Sequence, residues 1–161
     1  MSSRSRASYW MFVISLVVLY LLLHIGLGFS ARTPDLLTVA VLFAARRQNG
    51  APAAATGFAI GLIQDALSLT YFGASALTKA IIGFVGVRAR EFFVGDSFLF
   101  IGLYLFAGKW LHDVLFGFIA RDVARGSLTT RLFMDAPLAA LYAAGAGLVA
   151  LTVYRLLTRT R

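Results

Sequence analysis

From Ser8 to Phe29 the chain carries no aspartate, glutamate, lysine or arginine. At about 1.5 Å of rise per residue this run makes a helix of roughly 33 Å, enough to cross a hydrocarbon core of about 30 Å. Tyr9 and Trp10 open it, and amphipathic rings favour the headgroup level. Arg4 and Arg6 precede it, as in a signal peptide, but the apolar run exceeds the roughly 7 to 15 residues of a cleaved h-region. It is therefore expected to stay as a first span. A lone His24 near its far end is expected to be packed and neutral.

The rest of the chain has the same character. Of 161 residues, 60% are hydrophobic and 14% charged. A soluble domain carries about 25% charged residues, so this chain cannot clothe a soluble core. One integral membrane domain of all-α class is expected, a six-helix transmembrane bundle with spans near 8–29, 34–45, 52–69, 74–87, 97–119 and 134–157. The absence of cysteine excludes disulfides and thiolate metal sites. The net charge of +8 would suggest nucleic acid in a soluble protein. Here the bases sit between apolar stretches, which is the pattern of topology control, and no nucleic-acid partner is expected.

The second segment is short. Thr33 can cap it, Pro34 fits the first helical position, and Asp35 complements the helix dipole. Arg46, Arg47 and Asn49-Gly50 close it. So short a helix must be covered by protein, cross a thinned bilayer, or be flanked by snorkelling arginines. The fourth segment, ended by Arg88 and Arg90, also reads as short. Asp135 and Pro137 mark the start of the sixth.

Alternate connections sort the 15 basic residues. Arg4, Arg6, Arg46, Arg47, Arg88, Arg90, Arg155, Arg159 and Arg161 fall on the side of the termini. Arg32, Arg121, Arg125 and Arg131 fall on the other, and Lys79 and Lys109 lie within spans. The positive-inside rule then puts both termini in the cytoplasm.

This topology gives depths to the charges left inside. The apolar hairpin Gly57–Arg90 holds Asp65 on one arm and Lys79 on the other, each about two turns from the outer loop. Lys109, His112 and Asp113 fall at a similar level on the fifth segment. Together Asp65, Lys79, Lys109, His112 and Asp113 form one polar layer in the outer half of the bundle. A charge at membrane depth costs roughly 2.5 to 3.5 kcal/mol on insertion scales, so such groups pair or serve a function. The layer is either a clamp that fixes helix register or a pocket. If it is a clamp, Asp65 pairs with Lys79 or Lys109, and removing the matching lysine partly rescues Asp65→Asn. A metal site from His112, Asp113 and Asp65 is disfavoured by the lysines, and no cofactor is implied. No HExxH, GxSxG, P-loop or dinucleotide fingerprint is present, so no enzyme is expected.

Gly57-x-x-x-Gly61, with Gly83 on the next segment, allows close helix packing in lipid. These glycines are expected to offer a face to a partner helix, so that Gly57→Leu or Gly61→Leu disrupts a complex more than the fold. The Arg121–Arg131 loop is the other candidate surface.

The run Pro34-Asp35-Leu36-Leu37, then Arg46-Arg47, Gly57-Phe58, Gly61-Leu62, Asp65-Ala66-Leu67-Ser68, Phe72-Gly73, Ala76-Leu77 and Ile82-Gly83-Phe84 resembles the rod shape-determining MreD family. Asp113 late in the fifth segment, the length and the basic tail agree with it. The resemblance spans about Thr33 to Arg90. It implies a non-enzymatic, multi-pass protein of the bacterial inner membrane that works in the cell-wall elongation machinery. It also implies direct association with MreC, and through it with the MreB filament and RodA with its transpeptidase. The family is similar in outline to the substrate-binding subunits of vitamin ECF transporters. That likeness implies the alternative, a small-molecule transporter subunit with a pocket lined by Asp65, Lys79 and Asp113.

Overall fold

Asp35 starts the helix around which the others pack. Its carboxylate accepts from the Thr38 backbone N–H at 3.0 Å, the bond of an N-cap to the third helical residue. Asp35 is thus the cap itself, not a first-turn residue behind a Thr33 cap, and Pro34 lies outside the helix. The computed structural model describes residues 3–26, 34–67, 72–92, 97–120 and 134–159. These form six helices: α1 (Ser3–Gly26), α2 (Leu36–Ala45), α3 (Gly50–Leu67), α4 (Ala74–Phe92), α5 (Phe98–Ile119) and α6 (Ala136–Arg159). The described chain is all-helical. Thr33, Arg32, the loop 121–133 and the expected segment ends 27–29 and 68–69 lie outside the described residues.

α2 has 10 residues and all of them are buried. It touches each of the other five helices. Its Leu36, Leu37, Val39, Val41, Leu42 and Phe43 form the middle of the main apolar cluster, with Phe12, Val13 and Leu16 of α1, Ile82 of α4, Leu105 of α5 and Ala143 of α6 around them. Of the three ways to accommodate a short segment, the fold uses the first, covering by protein.

α4 is longer than expected and runs to Phe92. Arg88 and Arg90 do not end it. Arg88 lies over the Phe84 ring one turn back, and Arg90 reaches sideways to α2. Basic groups in a last turn also favour the helix C-terminal dipole.

α3 and α4 form the tightest pair. A Cβ on Gly57 would fall on the Lys79 carbonyl, one on Gly61 on Ser75 and Ala76, and one on Gly83 on the Ala53 carbonyl. Backbones this close need glycine. The turn between the helices uses Gly73 at φ 93°, the left-handed region that other residues rarely adopt. The glycine face expected to meet a partner therefore meets α4 instead. Gly57→Leu or Gly61→Leu would break this hairpin before any complex.

The helices alternate in direction. Tyr9 near the start of α1 bonds Phe43 near the end of α2. Arg90 at the end of α4 bonds the residues just after α2. Tyr154 late in α6 stacks on Phe12 of α1. One end of the bundle thus gathers the starts of α1, α3 and α5 with the ends of α2, α4 and α6. Among the described residues, α1, α5 and α6 are each long and apolar enough to cross a membrane, over Ala7–Ile25, Phe98–Ile119 and Ala136–Thr158.

Candidate functional site

A buried helix end needs partners for its free backbone groups, because water is not there to supply them. At the head of α2 the partner is Asp35. One of its oxygens takes the Thr38 N–H, and the other takes the Thr38 hydroxyl at 2.7 Å. A carboxylate so placed meets the positive end of the helix dipole. It also adds a charge to a largely apolar interior, and two lysines answer it.

Lys109 Nζ lies 3.2 Å from Asp35 Oδ2, and Lys79 Nζ lies 3.7 Å from the same oxygen. Lys109 also donates to Asp113, one turn along α5. Lys79 Nζ is 3.0 Å from His112 Nε2. An ammonium only donates, so Nε2 accepts and the ring proton sits on Nδ1. That nitrogen is 3.1 Å from Asp113 Oδ1 and donates to it. The imidazole stacks on Phe116, with centroids 6.0 Å apart. Hydrogen bonds and ion pairs together close a circuit: Asp35 to Lys109, Lys109 to Asp113, Asp113 to His112, His112 to Lys79, and Lys79 back to Asp35.

Two carboxylates and two ammonium groups balance around an imidazole whose two nitrogens are both bonded. Such mutual pairing is what makes charge tolerable where water is scarce. The cluster is closed on one side and less so on the other. The Lys79 side chain is 0% exposed, whereas Asp35 is 15% and Asp113 21% exposed.

Four of the five residues expected in the polar layer come together here: Lys79, Lys109, His112 and Asp113. Asp65 does not join them by an ion pair. Its oxygens accept from the backbone N–H groups of Gly73 at 3.0 Å, Ser75 at 3.1 Å and Ala76 at 2.9 Å. It is the cap of α4, supplied from the end of α3. The hairpin brings the last turn of α3 beside the head of α4, where the N–H groups of Gly73, just before the helix, and of Ser75 and Ala76, within it, satisfy the buried carboxylate. The expected rescue of Asp65→Asn by removing a lysine loses its geometric basis. The second acid of the balance is Asp35.

The tail of α2 is served differently. Tyr9 Oη donates to the Phe43 carbonyl at 2.8 Å, and Tyr104 Oη to the Leu42 carbonyl at 3.0 Å. Tyr104 Oη is also 3.2 Å from the Gly86 carbonyl. Arg90 Nη1 donates toward the carbonyls of Ala45, Arg46 and Gln48 at 3.3, 3.0 and 3.0 Å. None of Asp35, Tyr9, Tyr104 and Arg90 stands out by residue type. The available signal was the length of α2: a helix too short to span must end at depth, and its ends then need partners.

His24 stacks on Tyr20 at 5.4 Å, as a packed histidine would, and its buried Nδ1 has no hydrogen-bond partner among the described residues. Among the described residues no group of three or more His, Cys, Asp or Glu side chains is placed to hold a metal. No family model matches the chain, and no curated protein or solved structure matches it either.

Proposed function

We propose that this chain is a non-enzymatic component of the bacterial cell-wall elongation machinery, of the kind the MreD family provides. On this reading it crosses the inner membrane six times with both termini in the cytoplasm. It maintains rod shape by binding MreC directly, and through that complex MreB and RodA with its transpeptidase. The observation that supports the reading best is a coincidence of two maps. The residues that carry the resemblance, between Thr33 and Arg90, include those the fold depends on most. Asp35 heads the buried helix, Gly57, Gly61 and Gly83 seat α3 on α4, and Asp65 caps α4. The charged side chains of the core are engaged with one another or, for Asp65, with backbone N–H groups, which suits a rigid assembly surface. The alternating helix directions fit six spans, and the arginines gathered at one end fit cytoplasmic termini.

Depletion in its own cells, together with co-purification of the full chain from membranes, tests the proposal. Rounded cells and MreC in the purified material are the expected results. Unchanged cell shape with an ATPase-coupled module in the purified material would overturn it. That second outcome would favour the alternative, a substrate-binding subunit of a small-molecule transporter. The partly accessible acid side of the cluster, at Asp35 and Asp113, is what speaks for it.

A further inference from the structure

His112 is the point at which the charge circuit cannot take up a proton and keep its bonds. Its Nε2 accepts from the Lys79 ammonium at 3.0 Å, and its Nδ1 already carries the ring proton and gives it to Asp113. A further proton has only Nε2 to occupy, and there it meets a second donor. The acceptor of the Lys79 bond becomes a cation facing a cation. The balance of two carboxylates and two ammonium groups is lost at the same step.

The surroundings offer no easy relief. The charges that act on His112 are those of Lys79 from α4, of Asp113 and Lys109 from α5 itself, and of Asp35 from α2. From α3, Asp65 acts on Lys79, but its oxygens are taken by backbone N–H groups. From α1, Tyr20 stands near enough to feel Asp35 and Lys109. Among the described residues α6 adds no titratable group to the circuit. The Lys79 side chain is 0% exposed, so it cannot turn to water while the helices stay packed. α4 is fixed to α3 at this level, where a Cβ on Gly57 would fall on the Lys79 carbonyl. α5 is the helix left to yield. The partly accessible side, at Asp35 and Asp113, gives the proton its way in.

We infer that His112 is an acid-sensitive latch: protonation of its ring parts it from Lys79 and loosens the contact of α5 with α4 beside the head of α2. An unfolded chain takes this proton near the ordinary histidine value of about 6.5, whereas the folded chain must give up the Lys79 bond for it. The stability that the latch confers is therefore full above about pH 6.5 and falls as pH drops below it. The side of the membrane whose acidity is read follows from the orientation proposed above, which makes it the outer one. The latch itself rests on the circuit alone.

The chain has no cysteine, so spin labels can be placed on Leu77→Cys, at the start of α4, and Phe118→Cys, at the end of α5. Both positions are exposed and outside the circuit. In nanodiscs the distance between the labels and the thermal unfolding midpoint of the full chain are measured at pH about 8 and about 5, on either side of the ordinary histidine value. The expected result at the acid pH is a label distance that shifts outward and a midpoint several degrees lower. His24→Gln, which alters the second of the two histidines, should keep both changes. Lys79→Met removes the cation that the added proton meets. In that variant both changes should vanish, or the midpoint should rise with acid as His112 pairs with Asp113. A label distance that does not move with pH in the otherwise unaltered chain would overturn the inference, whether or not Lys79→Met folds. So would a pH response that persists in Lys79→Met, since it would belong to the carboxylates, or one that disappears in His24→Gln. Neither cell shape nor MreC enters these readouts, so this inference and the proposed function fail separately.

Discussion

The two ends of α2 face the same requirement and meet it in opposite ways. Each has backbone groups without helical partners, in an interior where an unmet N–H or C=O is costly. The tail is served by the hydroxyls of Tyr9 and Tyr104 and by one guanidinium, each of which bonds its carbonyls independently. The head is served by a carboxylate, and a carboxylate in that place needs counter-charges of its own. Lys109 and Lys79 supply them, and they in turn need Asp113 and His112. The tail is a set of separate bonds, and the head is one linked unit. A neutral cap can be lost singly, whereas a buried ion cannot be removed without stranding its partners.

The largest effect is therefore expected at the head. Asp35→Asn leaves two lysines with one carboxylate between them, and breaking a buried ion pair from one side costs about 3–5 kcal/mol. Adding Lys109→Met should return part of that loss, because the surplus cation goes with it. Unfolding of the two single variants and the double in detergent or nanodiscs gives the coupling. A coupling energy near zero would show that the head is not a unit, and the contrast with the tail would fall.

Much of this arrangement was legible in the sequence, and each part that was not has its own physical cause. The six segments followed from apolar runs and breakers such as Asn49-Gly50. The level of Lys79, Lys109, His112 and Asp113 followed from counting residues to the outer loops. Asp35 escaped that count because it was read as a first-turn residue whose charge the helix dipole already explained. A segment as short as α2 cannot have both ends at the surface, so the head of α2 was open to the same count. Asp65 was misread for the complementary reason. Its depth matched that of the lysines, but depth does not show whether the nearest donor is an ammonium or a row of backbone N–H groups. The end of α4 was placed too early because arginine was taken as a stop, while Arg90 in fact continues the helix and turns its side chain to α2.

At the tail, Arg90→Gln should have the next largest effect. Its one Nη1 nitrogen is shared among three carbonyls, and hydrogen bonds from a charged donor are worth about 1.5–3 kcal/mol net. The informative measurement is again a pair. Combined with Tyr9→Phe, whose target is the Phe43 carbonyl, the losses should add within about 0.5 kcal/mol, as for groups that share no partner. Strong coupling between them would mean that the tail too acts as a unit.

The smallest effect is expected from Tyr104→Phe, although Tyr104 is one of the largest fully buried side chains. The ring stays and leaves no large cavity, so the change removes only the hydroxyl. The Leu42 carbonyl keeps a second donor, the Arg46 N–H at 3.3 Å, because a carbonyl oxygen can accept twice. The loss should then be about 1 kcal/mol, that of an ordinary hydrogen bond and not of an orphaned group. The same unfolding measurement checks it against Asp35→Asn. Were Tyr104→Phe as damaging as Asp35→Asn, the hydroxyl would be holding α4 and α5 together through the Gly86 carbonyl as well as closing α2. The two ends of the helix would then differ in the chemistry of their caps and not in how far the damage spreads.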